Sequence, residues 1–146
     1  MSKVSGKIAL VTGGSRGIGA SIVEHLVKEG ADVAFTYLSS PDRATALVDQ
    51  LQSHGVRVKA YQSNASDHTQ CKDLIAQVIR DFGKIDILVN VVGGICGRKQ
   101  ITEQDESWYN LLMDVNMKSC WLCTSEVVPY MSEGGSIVNF SSLAAR

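Results

Sequence analysis

Short apolar runs alternate with amphipathic stretches along the whole chain, and that alternation leaves few folds open. Lys7-Ile-Ala-Leu-Val-Thr12 and Ile85-Asp-Ile-Leu-Val-Asn90 are nearly continuous apolar runs of strand length, as expected of strands buried on both faces. After the first, Ile18, Ile22 and Leu26 recur at helical spacing, giving a helix over 17–29 with Gly30 as its stop. Asp32 to Tyr37 reads as a second strand. Ser40-Pro41 supplies an N-cap and a first-turn proline, and Ala44, Leu47, Val48 and Leu51 the buried face of a second helix ending at Gly55. Val56-Arg-Val-Lys-Ala-Tyr61 alternates apolar with polar, which suits a sheet edge with one wetter face. Asp67 with Gln70 forms a capping box for a third helix through Leu74, Ile75, Val78, Ile79 and Phe82, stopped by Gly83. Thr102 with Asp105 opens a long fourth helix over 105–131, which Pro129 kinks or ends near Gly134-Gly135. Ser136-Ile-Val-Asn-Phe140 is the last strand.

Successive strands joined through helices must run parallel, with right-handed crossovers covering both faces. The expected fold is a Rossmann-type doubly wound α/β sheet in one domain spanning residues 1–146. With 45% hydrophobic and 20% charged residues, the chain can bury a core without disulfide staples. Lys+Arg 14 against Asp+Glu 15 leave a net charge of −1, so a nucleic-acid partner bound through phosphate neutralisation is not expected. No apolar run approaches the roughly 20 residues of a membrane span. Met1 to Gly6 holds no apolar signal region, so a cytoplasmic location with no membrane partner is expected. Cys71, Cys96, Cys120 and Cys123 are irregularly spaced and read as free thiols, with no metal site. Cys120-Trp-Leu-Cys123 is formally a C-x-x-C, but it lies deep in a helical pattern rather than at a helix start, where a thiol is activated. A structural role is the expectation there, and thiol redox chemistry the lesser reading.

Thr12-Gly13-Gly14-Ser15-Arg16-Gly17-Ile18-Gly19 lies between the first strand and the first helix. In a doubly wound sheet this is where helix N-terminal amides meet a pyrophosphate, although a plain tight turn is the bland alternative. No Lys-Ser/Thr follows the second glycine, which excludes a Walker A loop. A site for a ribose 2′-OH would carry an acid about 20 residues after the glycines. Phe35-Thr-Tyr-Leu-Ser-Ser40 has none. Arg16, Ser39, Ser40 and Arg43 can instead hold a 2′-phosphate, Arg43 being the weaker candidate because one turn into a helix it can simply face solvent, so NADP(H) is favoured over NAD(H).

Together these segments resemble the short-chain dehydrogenase/reductase family, over essentially the whole chain. Thr12 to Gly19 matches its T-G-x-x-x-G-x-G loop, and Asn64-Ala65-Ser66-Asp67 is similar to the segment that contacts adenine. Asn90-Val91-Val92-Gly93 stands where the family has N-N-A-G, and Asn116 matches the asparagine of its active-site helix. Gly135-Ser-Ile-Val-Asn-Phe-Ser-Ser142 matches the fifth-strand motif, in a register that makes Ser142 rather than Ser141 the catalytic serine. The second strand most resembles NADPH-dependent 3-oxoacyl-[acyl-carrier-protein] reductases. The resemblance implies cofactor contacts from Gly13, Ser15, Arg16, Gly17, Ile18, Gly19, Ser39, Asn64, Ala65, Asn90 and Gly93, and catalytic roles for Asn116 and Ser142. It implies a strand order of 3-2-1-4-5, a small carbonyl or alcohol substrate, and a homo-oligomer, dimer or tetramer. The implied reaction is hydride transfer from NADPH to a carbonyl. In it a tyrosine is the acid, a lysine lowers its pKa, the serine orients the carbonyl and the asparagine holds a water relay. A backbone-bonded helix asparagine and a turn serine are the alternatives at Asn116 and Ser142.

Two departures qualify the resemblance. Val91-Val92 replaces Asn-Ala, adding bulk beside the expected nicotinamide ribose, while Asn90 can still bond across to neighbouring strands. The family's Tyr-x-x-x-Lys pair, which follows the serine, is not among these residues: four positions after Tyr37, Tyr61, Tyr109 and Tyr130 stand Pro41, Ala65, Met113 and Gly134. The chain is therefore expected to be truncated after the fifth strand and nearly inert alone, because positioned proton transfer contributes about 10²–10⁴-fold. The fifth strand would then be an uncovered apolar edge. The alternative is a short nucleotide-binding module or inactive subunit that uses the same loop without chemistry.

Overall fold

Among the described residues five strands and five α-helices follow one another, strand and helix in turn until two helices precede the last strand: β1 (Ile8–Thr12), α1 (Gly17–Lys28), β2 (Asp32–Tyr37), α2 (Pro41–Leu51), β3 (Val58–Gln62), α3 (His68–Phe82), β4 (Ile85–Asn90), α4 (Glu106–Met113), α5 (Ser119–Val127) and β5 (Met131–Asn139). This computed structural model describes residues 2–143. The strands form one sheet in the order β3-β2-β1-β4-β5, parallel throughout, as expected. Successive side chains of a strand face opposite ways, and β1 shows what that does here. Ala9 and Val11 join one core with Val23 and Val27 of α1 and Leu47 and Leu51 of α2. Ile8 and Leu10 join the other, with Leu74, Ile75 and Val78 of α3 and Leu122 and Val127 of α5. Burial on both sides explains why β1 and β4 are almost uniformly apolar. β3 alternates because it is an edge strand.

Four local expectations are corrected. The helix over 105–131 is broken into α4, a π turn (Asp114–Lys118), α5 and a 3-10 turn (Val128–Tyr130). Pro129 has no N–H to continue the α-helical ladder, so α5 stops before it. Thr102 lies inside a separate 3-10 turn closed by Gln100 and Glu103, and Asp105 alone caps α4, accepting from the Trp108 amide at 2.8 Å. β5 starts at Met131, ahead of Ser136, because a bulge separates the pairs Ile85↔Met131 and Ile87↔Ser136. The box at α3 is only half formed. Asp67 accepts from the Gln70 amide at 3.0 Å, but the Gln70 side-chain Oε1 accepts from the Asn64 amide at 2.9 Å rather than from that of Asp67.

Candidate functional site

At the C-terminal ends of β1, β2 and β4, where a doubly wound sheet opens, lies a cleft of about 590 Å³. The glycine loop forms its centre. A Cβ on Gly19 would stand 2.1 Å from the Gly13 carbonyl oxygen, and one on Gly14 would stand 2.5 Å from the Phe35 Cβ, so the loop folds this tightly only with glycine at both positions. Thr36 of β2 holds the loop from beneath: its Oγ1 accepts from the Gly13 amide at 2.9 Å and its carbonyl from the Gly14 amide at 2.8 Å. Thr12 does the same toward β4, its Oγ1 accepting from the amides of Val91 at 3.0 Å and Val92 at 3.3 Å.

The start of α1 differs from those of α3 and α4. The latter two are capped by the carboxylates of Asp67 and Asp105. α1 has no side-chain cap and no acid in its first turn, so its leading amides and positive dipole end are left for another anion. Two cations, Arg16 and Arg43, line the cleft, and no carboxylate does among the described residues. Arg43 thus faces the site, although it is also exposed to solvent.

Of the sequence-predicted residues, Gly13, Ser15, Arg16, Gly17, Ile18, Gly19, Ser39, Asn64, Ala65 and Gly93 are brought together on the cleft wall. Asn90 is buried and off that wall, its amide nitrogen donating to Asn139 Oδ1 at 2.9 Å and Thr124 Oγ1 at 3.1 Å. It thereby keeps the cross-strand bond that the Val91-Val92 replacement left open. Asn116 and Ser142 are likewise not on the wall. The Asn116 amide pairs with both backbone groups of Gly94, accepting from N–H at 2.9 Å and donating to C=O at 2.8 Å. Ser142 is exposed, just past the end of β5. Sequence reasoning missed Thr36, Tyr37, Leu38 and Val115 as part of the site. Thr36, next to last in β2, carries no such signal in the sequence, because its bond to the loop depends on how β1 and β2 pair.

Cys120 and Cys123 sit in a helix continuous with the π turn before it, so neither thiol occupies a helix start. A hydrogen bond with Cys71, together with burial, pushes the Cys123 thiol well above its ordinary value, which does not suit a redox nucleophile. Among the described residues no cluster of His, Cys, Asp or Glu is placed to hold a metal ion, and no helix is long and apolar enough to cross a membrane.

Known proteins share this arrangement. A family model described as short chain dehydrogenase matches residues 7–146. The chain is 39% identical over 143 residues to an uncharacterized oxidoreductase of Methylorubrum extorquens, covering 98% of this chain and 57% of that protein. It is 37% identical over 139 residues to a 3-oxoacyl-[acyl-carrier-protein] reductase of Staphylococcus epidermidis, covering 94% and 57%. Among solved structures, a blue fluorescent protein from a metagenomic library, in complex with NADPH, superposes with a TM-score of 0.92 at 39% identity, over 97% of this chain and 58% of that one. An NADH-dependent reductase, A1-R′, responsible for alginate metabolism, superposes at 0.93 with 26% identity, over 100% and 62%. The chain thus spans somewhat more than half the length of the relatives it matches.

Proposed function

The chain belongs to the short-chain dehydrogenase family, and on that premise we propose that its cleft binds a nicotinamide dinucleotide, NADP(H) in preference to NAD(H). The chemistry served is oxidoreduction of a small carbonyl or alcohol substrate of the 3-oxoacyl type. The observation that carries this reading is the charge of the cleft wall: Arg16 and Arg43 beside the hydroxyls of Ser39 and Ser40, with no carboxylate among the described lining residues. A guanidinium's fork of donors suits a phosphate, whereas a free ribose 2′-OH calls for an acid. The uncapped start of α1 takes the pyrophosphate. Asn64 and Ala65 flank the adenine, and Gly93 leaves room for the other end.

When bound, the nicotinamide supplies or accepts hydride at the substrate's carbonyl carbon. Ser142 is assigned to orient the substrate oxygen, and Asn116 to fix the loop after β4 at Gly94 and hold a water relay. These 146 residues contain no Tyr-x-x-x-Lys pair, so on this reading they bind the dinucleotide without turning over. Calorimetric titration with NADPH and NADH tests the proposal. NADPH should bind roughly tenfold or more tighter, the worth of one charge-assisted hydrogen bond. Equal affinities would refute the phosphate role of Arg16 and Ser39.

A further inference from the structure

Between α4 and α5 the backbone widens. In the π turn Asp114–Lys118, the Ser119 amide donates to the Asp114 carbonyl, one residue further back than in an α-helix. The diversion removes the ordinary amide donor of the Val115 carbonyl, and the buried Ser119 hydroxyl replaces it at 2.6 Å. A second hydroxyl reaches the turn from outside the helix: Ser66 Oγ, in the segment after β3, donates to the same Asp114 carbonyl at 2.8 Å.

The two ends of this link are both held. Asn64 Oδ1 accepts from the Ser66 amide at 3.0 Å, and the Asn64 amide donates to Gln70 Oε1 at 2.9 Å. On the far side Asn116, within the wide turn, pairs with both backbone groups of Gly94. Ser66 and Val115 line the same cleft. Closing the turn to α-geometry would rotate the residues on one side by about 100° relative to the other, the advance of one residue at 3.6 per turn. Asn116 would then leave Gly94.

We propose that Ser66 is a positioning residue that couples occupation of the adenine end of the cleft to the placement of Asn116 and Gly94. The proposal rests on the dinucleotide reading above. A ligand packed on Asn64 and Ala65 immobilises Ser66. The fixed hydroxyl holds the Asp114 carbonyl in the wide-turn geometry, and the turn holds Asn116 on the loop after β4.

The test is amide hydrogen exchange at Gly94 and Ser119, with and without adenosine 2′,5′-bisphosphate, which has an adenine but no nicotinamide (or NADPH, should that probe not bind). In the unaltered chain, saturation should slow exchange at both amides by roughly 2- to 10-fold, the range of one net hydrogen bond. Ser66→Ala, saturated in the same way, should lose the slowing, and Ser66→Thr, which keeps the hydroxyl, should restore it. Should Ser66→Ala unfold, Ser66→Cys, a weaker donor, should show a reduced effect. Slowing that persists undiminished without the hydroxyl overturns the proposal, as does saturated binding with no slowing in the unaltered chain. Binding of neither probe would remove the dinucleotide reading, and this proposal with it.

Discussion

Gly19 has no room for a side chain, since its absent Cβ would overlap the Gly13 carbonyl oxygen. Gly19→Ala must therefore push α1 off the loop, and overpacking of this kind costs about 1–3 kcal/mol. A lower melting temperature together with lost dinucleotide binding is the expected outcome, read by thermal denaturation and titration. In the proposed binding mode Arg16 acts by charge rather than by fit. Arg16→Ala should weaken NADPH binding roughly tenfold and leave NADH nearly unchanged, and parallel titrations check the difference. Both residues were legible in the sequence, because glycines at that spacing between a strand and a helix fit few loops and Arg16 stands among them. Thr36 was not. Its hydroxyl reaches the Gly13 amide only because β1 and β2 pair in the register Val11↔Phe35, and register is a property of two strands.

At the scale of elements, Asp86 in β4 ties three strands together. Its side chain is 2% exposed, and it accepts from the Ile8 amide at 2.9 Å, from Lys84 Nζ at 2.9 Å and from the Ser132 hydroxyl. Burial pushes its pKa up, but the hydrogen bonds from Ser132, Lys84 and Ile8 outweigh burial and bring it to about 2. The folded value lies below the ordinary carboxylate value near 4. Its contribution to stability is therefore complete above about pH 4 and lost as pH falls toward about 2. Urea melts should show that loss, and Asp86→Asn should flatten it. Asp86→Ala strands the buried Ile8 amide and should cost about 1–3 kcal/mol at neutral pH. In the sequence Asp86 is only an interruption in an apolar run, since two of its three partners, Ile8 and Ser132, lie in β1 and at the start of β5. The π turn was equally hidden: Asp114 to Lys118 contain neither glycine nor proline. The hydroxyls that hold it come from Ser119 and from Ser66, on a different segment.

Across the whole molecule, the helices cover both faces of β1, but β5 is an edge with Ile137 38% and Val138 47% exposed. Met117 and Trp121, one turn apart along the fourth helical stretch, are 60% and 64% exposed. Apolar surface on an open edge and a helix face favours association. Light scattering at micromolar concentration should thus find a species heavier than one chain, and a stable monomer would contradict this. The alternation of elements was readable from periodicity alone, whereas the order 3-2-1-4-5 came only through the family resemblance. Which side chains would meet in the cleft depended on chain ends brought together by that order. The central claim, that the uncapped start of α1 and the arginines beside it grip a nicotinamide dinucleotide, is met most directly by a melting curve. NADPH at 100 times its Kd should add about 2.7 kcal/mol, a rise of roughly 5–10 °C for a chain of this size. An unchanged melting temperature with both NADPH and NADH at millimolar concentration would contradict it.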